Sequence, residues 1–257
     1  MTALPAFRKR RLRQLFGERG GGFLCAGCPS RAGKMLLFAF LFGLSLSTFA
    51  QTPEQTGFGA SLAVEVEKEL NRFFSIAGEE EIRLVDNSVG FDRSVTSLGV
   101  DYSLFDKKVK VGVYYAFLHL YNNDYLFESR HRYYLNFSYR ETFEPFTFSW
   151  RGRLQGTCRN ENRGEYKVNP KYVMKNKVEV ACLIWGSPWK PYLSCDFSTS
   201  LNEPVRGYEL TRMRLQGGAS WRLNRTAYLD FFLRFDKYLA DSDPQALWLG
   251  AAYKIKF

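Results

Sequence analysis

Two sets of charged residues and a serine–histidine pair have the types and spacing to do chemistry. Glu65, Glu67, Glu79 and Glu81 alternate with other residues early in the chain. Arg130, Arg132, Arg151, Arg153, Arg212 and Arg214 do the same further on. A spacing of two puts neighbouring charges on one face of a strand. If that face is enclosed, the charges must be paired to be tolerated. The simplest reading is a glutamate–arginine network filling an interior. The alternative is charge that selects solutes in a narrow channel. Ser129 and His131 also share a strand face, and His119 is the one other histidine. A serine beside a basic imidazole is the minimum of a lipase- or deacylase-type site. No base-orienting acid is identifiable, so no catalytic residue is assigned, and an envelope-lipid enzyme using His131 or His119 is the rival reading. No cluster of His, Cys and carboxylates has metal-ligand spacing. No P-loop, dinucleotide fingerprint or EF-hand loop occurs, so no metal or cofactor is expected.

Five cysteines remain to be placed. Cys25 and Cys28 form a CxxC within the basic leader described below. Cys158 sits in a long polar connection. Cys182 and Cys195 flank residues 186–190, and a tight turn there sets them opposite each other on two apolar strand faces. Facing strands bring Cα atoms into disulfide range. The competing reading is free cysteine acting as a small hydrophobe.

Long strands must position these groups. Leu247, Leu249, Ala251, Tyr253, Ile255 and Phe257 alternate with Trp248, Gly250, Ala252, Lys254 and Lys256. Strict alternation makes one face apolar, and the length suits a tilted membrane-spanning strand. Upstream, ten further candidates alternate similarly, the first near 59–70, the second near 73–85 and the fifth near 130–142. Connections alternate short (71–72, 106–108, 143–145, 186–190, 224–225) and long (86–92, 122–129, 157–170, 202–207, 240–245). Membrane barrels with short periplasmic turns and longer outer loops show this asymmetry. The expected fold is therefore an all-β, antiparallel transmembrane β-barrel of 10–12 strands occupying residues 59–257. Single-chain bacterial barrels have even strand numbers, so the eleven candidates imply ten or twelve true strands. Glu80 shares parity with Phe74 and Ile76, which would turn a carboxylate to lipid. A bulge near Ala77–Gly78 would redirect it.

The chain starts with a different kind of segment. Residues 1–34 hold eight basic side chains and one acid, which is +7 of the total charge of +10. The rest carries only +3, so nucleic-acid binding loses its support. From Met35 to Ala50 a short apolar run ends on small residues, the pattern of a secretory signal peptide. Leu36 to Leu46 is too short to span a bilayer as a helix. Residues 1–50 are read as leader and signal peptide, with Met35 an alternative start, and 51–58 as a short flexible lead-in.

The runs Leu62–Leu84, Ser129–Arg140, Trp150–Gln155 and Leu249–Phe257 resemble the family named domain of unknown function 2490. The resemblance covers nearly all of 57–257. It implies an outer-membrane β-barrel of a Gram-negative envelope and brings no catalytic residue with it. The aromatic end, Tyr253–Phe257, resembles the signal read by the β-barrel assembly machinery, which that likeness implies as a transient partner. Outer-membrane lipid is the other expected partner. The reading as a whole is a non-catalytic barrel of unassigned role with a charged, largely filled lumen.

Overall fold

Alternation of period two, sustained between turn residues, gives eleven long strands. They are β1 Gly57–Glu69, β2 Phe74–Val85, β3 Gly90–Leu104, β4 Val109–Asn122, β5 Leu126–Phe143, β6 Phe146–Arg159, β7 Lys171–Cys182, β8 Trp189–Glu203, β9 Gly207–Arg222, β10 Ala227–Tyr238 and β11 Ala246–Lys256. This computed structural model describes residues 57–85, 90–122, 126–159, 169–204, 207–239 and 245–257. The leader 1–50, Cys25, Cys28 and residues 51–56 lie outside them. Gly57 and Phe58, assigned above to the lead-in, belong to β1.

Each strand pairs antiparallel with the next, and the sheet closes on itself. The expectation of ten or twelve strands is corrected: all eleven segments lie in the barrel. An odd number of strands joined by hairpins leaves the first and last pointing the same way. β1 and β11 accordingly close the barrel in parallel, in register from Gly57↔Ala246 to Glu67↔Lys256. Backbone bonds clamp both ends of this seam. Gly57 N donates to Gln245 O, Glu69 N to Phe257 O, and Phe257 N to Glu67 O, each at 2.9 Å. Closure leaves no strand edge to pair with another chain.

The hairpins at one end are short. Asn71 and Asn224 open two of them by accepting backbone N–H groups onto their own side chains: Phe73 and Phe74 at 2.9 and 2.8 Å, Thr226 and Ala227 at 2.9 and 2.7 Å. This local bond is what asparagine contributes to a tight turn. Gly186, with φ of +75°, serves the connection between β7 and β8. That connection runs from Leu183 to Pro188, beginning three residues and ending two residues earlier than the sequence suggested. The hairpin register therefore differs by four residues from the one expected: Cys195 faces Val178 rather than Cys182. Cys182 falls opposite Phe146 on β6. The proposed Cys182–Cys195 bridge is corrected on this ground, and Cys158, Cys182 and Cys195 are all free thiols. A shift of four is even, so every side chain keeps the face that parity gave it.

The two faces differ sharply. Leu62, Leu98, Val113 and Leu249 point outward and are more than half exposed, at 56–62%. Inward positions are largely small, polar or charged. Several inward glycines make room for aromatic rings lying flat against the wall. A Cβ on Gly59 would sit 2.6 Å from the Trp248 ring, and one on Gly218 would sit 2.7 Å from the Tyr192 hydroxyl. The rings of Tyr114 over Gly99 and Phe232 over Gly250 are set in the same way. One apolar patch also faces inward, where Ala116, Leu118, Leu120 and Tyr134 pack with Val95 and Tyr114. The fourth strand's outward alternation gave no sign of it. Glu80 stays on the outward face. Its register partners are Val64 and Thr96, the ladder runs unbroken past Ala77 and Gly78, and the β2–β3 irregularity lies between Arg83 and Leu84. The expected bulge is thereby corrected.

Candidate functional site

The lumen is where charged side chains meet. Alternation aims Glu65, Glu67, Glu79 and Glu81 inward from β1 and β2, and aims Arg130, Arg132, Arg151, Arg153, Arg212 and Arg214 inward from β5, β6 and β9. No ion pair joins these two sets among the described residues. Glu81 accepts two bonds from Arg83, at 2.8 and 2.9 Å, and a third from Ser61 Oγ at 2.8 Å. Glu65 pairs with Lys254 at 3.2 Å. Glu67 lies between Lys256, at 3.0 Å, and Lys110. Arg130 forks onto Glu128 at 2.7 and 2.8 Å. Arg153 donates to Asn136 Oδ1 at 2.8 Å and lies over the Tyr134 ring at 4.0 Å.

Geometry explains the choice of partners. Strands about 4.8 Å apart and tilted by about 40° make an eleven-strand barrel roughly 20 Å across. A glutamate and an arginine on opposite walls do not span that width. A base two residues along the same strand, or on the adjoining strand about 5 Å away, wins. The expected cross-lumen glutamate–arginine contacts are corrected to these nearest-neighbour pairs. Two pairs do bridge strands that are not neighbours: Arg234 on β10 reaches Glu81 on β2 at 3.7 Å, across β11 and β1, and Lys110 on β4 reaches Glu67 on β1, across β2 and β3.

The tightest cluster centres on Asp236, a residue the charge pattern did not single out. Asp236 is 1% exposed. Arg214 donates to both of its carboxylate oxygens, at 2.6 and 3.0 Å. Arg212 and Arg234 each approach to 4.0 Å. Three guanidinium groups thus surround one carboxylate. Asp230 is a second inward anion, accepting from Ser220 at 3.0 Å and Tyr192 at 3.1 Å, with Lys254 at 3.2 Å. Asp101 accepts from the Tyr114 hydroxyl at 2.8 Å. Parity would have found all three aspartates. They were overlooked because none belongs to a run of like charges: Asp101 and Asp230 stand among neutral residues, and Asp236 lies between Arg234 and Lys237.

The histidines lie elsewhere, on the outward face near the long-loop end. Ser129 faces His119 across the β4–β5 ladder, with Oγ 3.5 Å from Nδ1. His131, the partner expected for Ser129, instead meets the Tyr115 hydroxyl at 2.6 Å through its Nδ1. The His119 ring stacks on Phe127 at 4.7 Å. Cys158 is the register partner of His131 and contacts the Tyr133 hydroxyl at 2.9 Å. Among the described residues, no carboxylate bonds either imidazole, and no group of three or more His, Cys, Asp or Glu could hold a metal ion.

A closed up-and-down barrel, greasy outside and charged inside, is the class of protein these features define. The chain belongs to the family described as "Protein of unknown function (DUF2490)", which matches residues 58–242. No curated protein matches it. Among solved structures, it is similar to the beta domain of the Bordetella autotransporter BrkA. Identity there is 13%, over 74% of this chain and 86% of that one, with a TM-score of 0.39.

Proposed function

We propose that this chain is a non-catalytic outer-membrane β-barrel whose lumen is closed by its own side chains, and that it acts through its outer loops rather than as an open pore. One observation carries the reading. Lumen-facing Asp236, Leu118 and Arg234 are 1%, 1% and 3% exposed, whereas an open channel keeps the side chains along its wall wet. The apolar outer belt supports a bilayer as its surroundings, since such a surface in water would drive association. Outer-membrane lipid of a Gram-negative cell is then its solvent. β11, followed by Phe257, is the segment offered to the β-barrel assembly machinery.

Single-channel recording in planar bilayers tests the closed lumen. The expected result is no steady conductance; a stable large conductance refutes it. The enzymatic rival is tested separately. Ser129→Ala and His119→Ala should leave the envelope lipid profile of the producing strain unchanged. A changed profile overturns the non-catalytic reading.

A further inference from the structure

The cations of the lumen are not all balanced. Lys175 points inward from β7 and, among the described residues, has no hydrogen bond or ion pair. Its register partners are Arg153 on β6 and Ser198 on β8, and Ser198 in turn faces Arg212 on β9. Arg132 reaches the same patch from β5, where its Nε donates to Thr157 Oγ1 at 3.1 Å. The strongest electrostatic neighbours of the Lys175 ammonium are Arg212, Arg132, Arg153 and Arg214, all of them cations. Arg214 is satisfied by Asp236. Arg132 and Arg153 bond only neutral groups, Thr157 and Asn136. The buried Nε of Arg212 has no acceptor, and its Nη1 stands 4.0 Å from an Asp236 that Arg214 already engages.

Such a cluster is costly if it serves only to fill space. Like charges repel, and a buried N–H without an acceptor forfeits its hydration. Apolar side chains would occupy the same volume without either cost. Alternate strands stand about 10 Å apart along the wall, so long side chains from β5, β7 and β9 converge in the lumen. Guanidinium forks match the oxygens of phosphate-type anions, and an ammonium adds a point charge. All four residues lie in the halves of their strands nearer the long loops. One ladder step below, the Asp236 cluster closes the path.

We propose that Arg132, Arg153, Lys175 and Arg212 form a binding site for a small, multiply charged oxyanion of the phosphate type, entering from the long-loop end. This goes beyond a closed lumen: the anion is held there, not conducted.

The test is equilibrium dialysis of the refolded full-length barrel, in uncharged detergent at physiological salt, against radiolabelled inorganic pyrophosphate. Saturable one-site binding is expected. Lys175→Met and Arg212→Gln should each weaken it about tenfold or more. Lys175→Arg should keep it within about threefold. Arg72→Gln, at the exposed short-turn end, should leave it unchanged. Heat-modifiable gel migration reports whether each variant has folded, and Lys175→Gln replaces any that has not. A lipid source is separated by adding anionic phospholipid to the micelles, which should not compete with pyrophosphate. Absence of saturable binding, binding indifferent to loss of the Lys175 charge, or full competition by phospholipid would each overturn the proposal. Conductance does not enter this assay, so its failure is distinct from failure of the closed-lumen reading.

Discussion

Replacing Asp236 by Asn removes one negative charge from the centre of three guanidinium groups. Arg214 loses a two-point ion pair at 2.6 and 3.0 Å, and Arg212 and Arg234 lose an anion at 4.0 Å. At an effective dielectric constant of about 20, a unit-charge pair 4 Å apart is worth about 4 kcal/mol. The amide oxygen returns part of this as neutral hydrogen bonds. What remains is the penalty for leaving cations without an anion beside a residue that is 1% exposed, and that penalty is about 3–5 kcal/mol for a broken buried pair. Denaturant unfolding of the barrel in lipid vesicles, followed by the fluorescence of its five tryptophans, measures the loss directly. Asp236→Asn should cost at least about 3 kcal/mol. Arg214→Met combined with Asp236→Leu removes the pair while keeping apolar bulk, and should recover the share of the loss that belongs to Arg214, the share from Arg212 and Arg234 staying lost. A loss under about 1 kcal/mol for the single variant, or no recovery in the double, would refute the claim that this pair is mutually dependent.

Three further outcomes follow from the same structure. Gly250→Val drives a side chain into the Phe232 ring and should destabilise by about 1–3 kcal/mol, read in the same unfolding assay; a neutral effect would mean the ring does not lie on the wall. Glu80→Leu removes a carboxylate from the outward face and should stabilise the barrel in lipid by about 1–2 kcal/mol. A loss of stability there would show that Glu80 does not face the bilayer. For the parallel seam, cysteines at Leu62 and Ala251, which are register partners, should crosslink with a short bifunctional reagent once the three native cysteines of the barrel are replaced. A pair at Leu62 and Ile255, four residues out of register, should not; the reverse result would rule out this closure.

Parity was legible from the chain alone, because side chains of a strand point alternately to two sides whatever the strand pairs with. That rule placed Leu62, Val113 and Leu249 outside and Glu65, Arg153 and Arg214 inside. It kept these assignments even where the β7–β8 register differed by four residues, since an even shift turns no side chain over. Turn chemistry at Asn71 and Asn224 was equally local. The parallel seam, the opposition of Cys195 to Val178, and the cross-strand partners of the lumen charges were decided only by closure, whereas the pairs Arg83–Glu81 and Arg130–Glu128 lie two residues apart on single strands. A barrel's register and width depend jointly on all its strands, and no single segment carries that information. The same closure brings Arg234 to Glu81 across the seam, surrounds Asp236 with three guanidinium groups and leaves Lys175 among cations. Apart from Arg234 beside Asp236 on β10, each is a contact between residues far apart in sequence, set by distances that exist only once the sheet has met itself.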